Sequence, residues 1–143
     1  MPLVGGGGAG NIAGSNPTGT SKGLNYIGDH CYAYSGLIQI NTSLTNCLDF
    51  TTGASYALVD LTLCGAAKHD GGTNTGANTV YEIYMDGTRN LLVKVESIQE
   101  DMPAMEVLPI LIPPFTHVQV SFICDVDTAN IFNSVAIAGR VYA

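Results

Sequence analysis

Two consecutive prolines, Pro113 and Pro114, separate two apolar stretches and limit what this chain can build. Neither can donate a hydrogen bond to a sheet ladder, so a strand through Val107–Ile112 must stop there. From Thr116 the pattern restarts with a period of two. Val118, Val120, Phe122 and Cys124 fall on one side; His117, Gln119 and Ser121 fall on the other. That is the signature of a half-buried strand. Two strands meeting at a proline corner point to a β-sandwich or barrel.

The rest of the chain fits that frame. Cys31–Ile40 reads as one strand, or as two short ones around Gly36, followed by a polar turn at Asn41–Asn46. Cys47–Phe50 is a short strand or edge piece closed by Thr51-Thr52-Gly53. In Tyr56–Cys64, Ala57, Val59, Leu61 and Leu63 share one face, and Asp60 and Thr62 lie on the other. Lys68–Asn78 is a polar, glycine-rich loop, and Glu100–Met105 is another loop. Asp125–Asn130 is a short connection with room for one helical turn. Phe132–Tyr142 is the last strand, with Val135, Ile137, Gly139 and Val141 on one face. No helical stripe of ten residues or more is present. About eight strands with regularly spaced turns predict an all-β sandwich or barrel.

Thr79–Ile98 is a hairpin turning at Asp86-Gly87. A strict two-residue turn pairs Met85 with Thr88 and would set Ile83 against Asn90 and Tyr81 against Leu92, burying Asn90 and Lys94. A three-residue loop pairs Met85 with Arg89, Ile83 with Leu91 and Tyr81 with Val93, which puts the apolar residues on one face. The pattern therefore predicts the longer loop, or a bulge beside the turn.

Residues 1–28 hold nine of the seventeen glycines and one charged side chain, Lys22. They read as an extended arm, with residues 29–143 as the sandwich domain. Gly5, Gly7 and Gly10 spell G-x-G-x-x-G, and Asp29 lies at a plausible offset for a ribose-binding acid. Only four residues precede Gly5, and no strand or βαβ unit surrounds the motif, so the match is a coincidence of the glycine tract.

Charge narrows the functional classes. Charged residues make up 12% of the chain, about half the usual share, and the net charge is −7. Such a surface predicts contact with copies of itself or with a larger assembly; a Ser/Thr/Asn-covered soluble surface is the plainer alternative. Lys22, Lys68, Arg89, Lys94 and Arg140 form no run, which argues against nucleic acid and anionic membranes as partners. No window reaches transmembrane length. The start, Met-Pro-Leu-Val and then glycines, lacks the layout of a signal peptide, so the expectation is a chain kept in a cytosol until it is released. Asn41-Thr42-Ser43 then reads as an exposed turn rather than a glycosylation site. Cys31, Cys47, Cys64 and Cys124 are widely spaced and predict free thiols, although spacing does not exclude a disulfide.

Chemistry-bearing residues are scattered. His30, His69 and His117, with Cys31 and Asp70 beside the first two, lack the close ligand pairs of a zinc site. Asp125-Val126-Asp127 reads as a turn or helix start rather than a cation site. Asp60, Glu82 and Glu96 supply carboxylates for sugar hydrolysis only if the fold brings two of them together. Ser, His, Asp and Cys occur without a G-x-S-x-G elbow or other local signature. The absence of tryptophan argues weakly against a carbohydrate-binding platform.

Ile112-Pro113-Pro114-Phe115-Thr116-His117-Val118-Gln119-Val120 and the terminal Ala138-Gly139-Arg140-Val141-Tyr142, together with Tyr81–Gly87, resemble the capsid decoration, or cement, proteins of tailed bacteriophages. The motif-like part covers about a third of the chain. The resemblance implies a jelly-roll-like antiparallel β-sandwich acting as a homo-oligomer, a trimer at local symmetry axes of an icosahedral shell. It implies the major capsid protein as partner and the capsid exterior of a virion, assembled in the host cytoplasm, as location. It brings no catalytic residue, cofactor or metal, and the chain is expected not to be an enzyme. The alternative is the receptor- or glycan-binding head of a phage fibre, with the loop Lys68–Asn78 as its contact surface.

Overall fold

Twelve strands pair antiparallel in a computed structural model that describes residues 23–68, 77–96, 105–127 and 129–142. They are β1 Asn25–Ile27, β2 His30–Tyr34, β3 Ile38–Gln39, β4 Thr45–Thr51, β5 Tyr56–Cys64, β6 Ala67–Lys68, β7 Asn78–Met85, β8 Thr88–Glu96, β9 Met105–Ile112, β10 His117–Cys124, β11 Ile131–Asn133 and β12 Val135–Tyr142. Among the described residues, which leave out Thr128 of the Asp125–Asn130 connection, there is no helix.

The order β1-β2-β12-β5-β9 makes one sheet and β4-β10-β7-β8 the other. Taking only the eight longer strands in sequence, first, eighth, third and sixth face second, seventh, fourth and fifth. That interleaving is a jelly roll: apart from the β7–β8 hairpin, each long strand is followed by one in the opposite sheet. The proline corner is one such crossing. Ile112 ends β9 in the first sheet and His117 begins β10 in the second.

A third small sheet, β3-β11-β6, repeats the order β2-β12-β5. The same three chain segments run on past kinks at Ser35-Gly36, Ser134 and Gly65-Ala66. Ser134 therefore splits the expected Phe132–Tyr142 strand into β11 and β12. Its carbonyl accepts the Cys64 amide at 3.1 Å, and Ser35 Oγ accepts the Val135 amide at 2.8 Å.

The core lies between the two large sheets. Leu61, Leu63 and Ile137 from one meet Tyr81, Ile83, Val118, Val120 and Phe122 from the other, all fully buried. Each such side chain contributes about 1.5–3 kcal/mol by leaving water. The alternation read in β5, β10 and β12 matches this burial except at Ser121, which the period assigns to the polar side and which is buried beside the register shift in β10.

The β7–β8 hairpin meets one of its two predicted solutions. The turn has two residues, with Met85 opposite Thr88; Asp86 and Gly87 both have positive φ, +51° and +80°, the type I′ pattern. The register then shifts at Asn90, so Ile83 opposes Leu91 and Tyr81 opposes Val93. The longer loop does not form; the bulge restores the apolar face. A second shift lies between β10 and β4. Val120 opposes Leu48 and Ser121 opposes Asn46, leaving Cys47 as the extra residue and burying Cys47 and Leu48 together.

The expected arm boundary at 28/29 falls inside a turn. Gly28, with φ +60°, and Asp29 connect β1 to β2, and Leu24 and Tyr26 are buried. Among the described residues the sheet begins at Asn25; residues 1–22, including the G-x-G-x-x-G tract, lie outside them.

Candidate functional site

The two outer faces of the sandwich carry different chemistry. On the four-stranded sheet, cross-strand register lines up Asp49 of β4, Gln119 of β10, Tyr84 of β7 and Arg89 of β8. The polar side chains hold one another. Asp49 Oδ1 lies 2.7 Å from His117 Nε2, and its Oδ2 accepts hydrogen bonds from Gln119 Nε2 at 3.1 Å and Asn46 Nδ2 at 3.2 Å. Beside this group Glu82 accepts from the Tyr84 hydroxyl and from Arg89 Nη1, the latter at 2.7 Å. The His117 bond, helped by Gln119 and Asn46, lowers the Asp49 carboxyl below its ordinary value. The Tyr84 hydroxyl, with Arg89 behind it, does the same for Glu82, and the Glu82 carboxylate in turn raises the Tyr84 phenol.

On the five-stranded sheet the outer face is mostly apolar. Leu58 of β5 stands opposite Leu111 of the edge strand β9, Thr62 opposite Val107, and Cys64 opposite Met105. Leu58, Met105, Val107, Leu111 and Tyr142 are all exposed. Pro109 is tolerated within β9 because an edge strand needs donors on one side only. Leu58, Asp60, Pro109, Leu111, Ala138, Arg140 and Tyr142 surround an open hollow of about 550 Å³. Ala138 and Gly139 of β12 lie in its floor. A Cβ on Gly139 would lie 2.1 Å from the Leu58 carbonyl oxygen, so no larger residue fits.

At the end of this face the corner projects Phe115, which is 72% exposed. Its φ of +53° is strained for a bulky side chain. The corner is held by its neighbours: the Phe115 amide donates to the Gly53 carbonyl at 2.9 Å, Thr52 Oγ1 donates to the Pro113 carbonyl at 2.7 Å, and the same oxygen accepts the Thr116 amide at 2.9 Å.

The carboxylates named from sequence do not converge. Asp60 faces outward from β5 and Glu82 outward from β7, so both sheets separate them. Glu96 lies four residues beyond the partner of Glu82 along β8, roughly 13 Å away, and pairs with Lys94 at 2.8 Å. Asp125 is engaged by Asn78, accepting its amide at 2.9 Å and its side-chain nitrogen at 2.8 Å. His30 pairs with Asp29 at 2.8 Å, and Asp29 also takes Arg140. Among the described residues no three His, Cys, Asp or Glu side chains gather as metal ligands, and none of the four cysteines forms a disulfide. His69, Asp70 and most of the Lys68–Asn78 loop lie outside the described residues.

Sequence reading missed the hollow and the exposed phenylalanine. The signal was present in part: Val107–Ile112 is apolar without alternation, and on an edge strand such a run places hydrophobic side chains on both faces.

Compared with protein-family models and with curated protein sequences, the chain matches none.

Proposed function

We propose that this chain is a non-enzymatic structural protein of a virion shell: a capsid decoration protein of a tailed bacteriophage that binds and stabilises the shell as a homo-oligomer. The observation that carries this reading is the mostly apolar outer face of β5 and β9, on which Asp60 is the one charge of β5, on a chain only 12% charged. Contiguous exposed apolar surface of this kind marks a face that is covered in an assembly. The sandwich provides the contact between copies, and several copies of one oligomer engaging the shell together hold better than one. The test is co-sedimentation of full-length protein with shells of its own particle that lack it. Bound protein and a raised shell-melting temperature are expected; no binding ends the reading.

A second reading, a receptor- or glycan-binding head, is favoured by the polar row Asp49, Gln119, Tyr84 and Arg89, whose side chains are ordered on an open sheet face. It requires glycan binding that Gln119→Ala abolishes while native mass is unchanged.

A further inference from the structure

We infer that copies of this chain associate by seating Phe115 of one copy in the hollow between β5, β9 and β12 of the next. The inference rests on the reading of the chain as a self-associating structural protein and names the contact. An exposed phenyl ring on a corner fixed by three hydrogen bonds has little freedom left to lose on binding. Aromatic anchors entering a desolvated pocket carry most of the affinity of many interfaces. The hollow offers such a pocket: Leu58, Pro109, Leu111, Ala138 and Tyr142 are apolar or aromatic, and Arg140 at the rim can lie against a ring face.

Charge and area point to a second copy as the occupant. The chain carries a net charge of −7, so like chains repel over most of their surface. The hollow is lined by one acid, Asp60, and one base, Arg140, the base also paired with Asp29; the corner Pro113–Thr116 has no charge at all. An uncharged corner can therefore approach the hollow of an acidic chain without charge repulsion between the two. A phenylalanine covers about 150–250 Å², short of the roughly 800 Å² per partner in a standard stable contact. The exposed Leu58, Met105, Val107, Leu111 and Tyr142 around the hollow supply apolar surface toward the remainder. Each copy has both the ring and the hollow, so the contact is head-to-tail and can close into a ring, the expected trimer included.

The experiment is native mass by light scattering on full-length chains, with circular dichroism to confirm folding. Both variant positions are exposed, so Phe115→Asp and Leu111→Asp leave the core intact. The wild type is expected to be oligomeric and each variant alone monomeric. Mixed in equal amounts they are expected to form a one-to-one pair, because Phe115→Asp keeps its hollow and Leu111→Asp keeps its phenyl ring. A wild-type monomer, an oligomer indifferent to either change, or variants that stay monomeric on mixing would each overturn the inference. An oligomer that survives both changes and still binds shells leaves the decoration reading standing and removes this contact alone.

Discussion

The phenol of Tyr81, on β7, donates a hydrogen bond of 2.5 Å across the core to the carbonyl of Cys64, on β5 in the opposite sheet. The side chain is fully buried, and burial pushes its hydroxyl far above the ordinary phenol range, so it stays a donor at any working pH. Replacing Tyr81 with Phe keeps the ring packed against Phe122 and removes this tie together with a longer one, 3.5 Å, to the Ser134 carbonyl. The expected loss is about 1–3 kcal/mol in urea unfolding, the range for leaving a buried acceptor without its donor. An unchanged midpoint would show that the carbonyl is satisfied otherwise.

Thr52 is the corresponding tie at the proline corner. Its hydroxyl both donates to Pro113 and accepts from Thr116, a chain separation of more than sixty residues. Thr52→Val keeps the shape and strands both partners, with an expected cost of about 1–3 kcal/mol. Thr52→Ser should recover most of it. Since the corner also orients Phe115, Thr52→Val should weaken self-association under conditions where the fold persists.

The strand β12 approaches β5 so closely at Gly139 that a methyl group would overlap the Leu58 and Val59 backbone. Backbone cannot rotate away as a side chain can. Gly139→Ala should therefore destabilise by about 1–3 kcal/mol or more, read as a fall in thermal midpoint. A neutral result would mean that β12 can shift without cost.

Stability should fall in acid. The folded pKa values of Asp49, Glu82 and Asp29 are all lowered by hydrogen bonds from His117, Tyr84 and Arg140 respectively. A lowered carboxylate contributes stability that is present above its unfolded value, near pH 4, and is lost as pH falls through the folded value. Urea midpoints measured from pH 6 to pH 2 should decline in that lower window, and Asp49→Asn should flatten the decline. An identical slope in the variant would remove Asp49 from this account.

The thiols should react in order of burial. Cys31, Cys47 and Cys124 are buried, and burial pushes the Cys31 thiol up to about 11, where little thiolate forms near neutral pH. Cys64 is only half-buried. Native protein treated with a chromogenic disulfide at pH 8 should label Cys64 first and the other three only on unfolding, with mass spectrometry identifying the site. Rapid labelling of all four in native protein would contradict the packing.

Local patterns were legible in the sequence wherever a single segment decides them. The alternation of Tyr56–Cys64, the stop at Pro113-Pro114 and the turn at Asp86-Gly87 depend on side-chain period, missing donors and allowed φ values, which neighbouring residues settle among themselves. The conflict between turn length and apolar pairing in Thr79–Ile98 was visible as well, and the bulge at Asn90 resolved it. The membership of Asn25–Ile27 in the sheet was not legible, because three residues carry no period and their pairing with β2 supplies the order. The same holds for the doubled burial of Cys47 and Leu48, which follows from a register shift against a strand seventy residues away. Face-to-face placement belonged to the tertiary structure alone. Asp60 and Glu82 both stand on the polar side of their own strands, and only the interleaving of two sheets sends them to opposite surfaces. It also brings Ala138 and Gly139 beside Leu58 and Leu111 and forms the hollow, since a concavity is a property of three strands at once and of none of them singly.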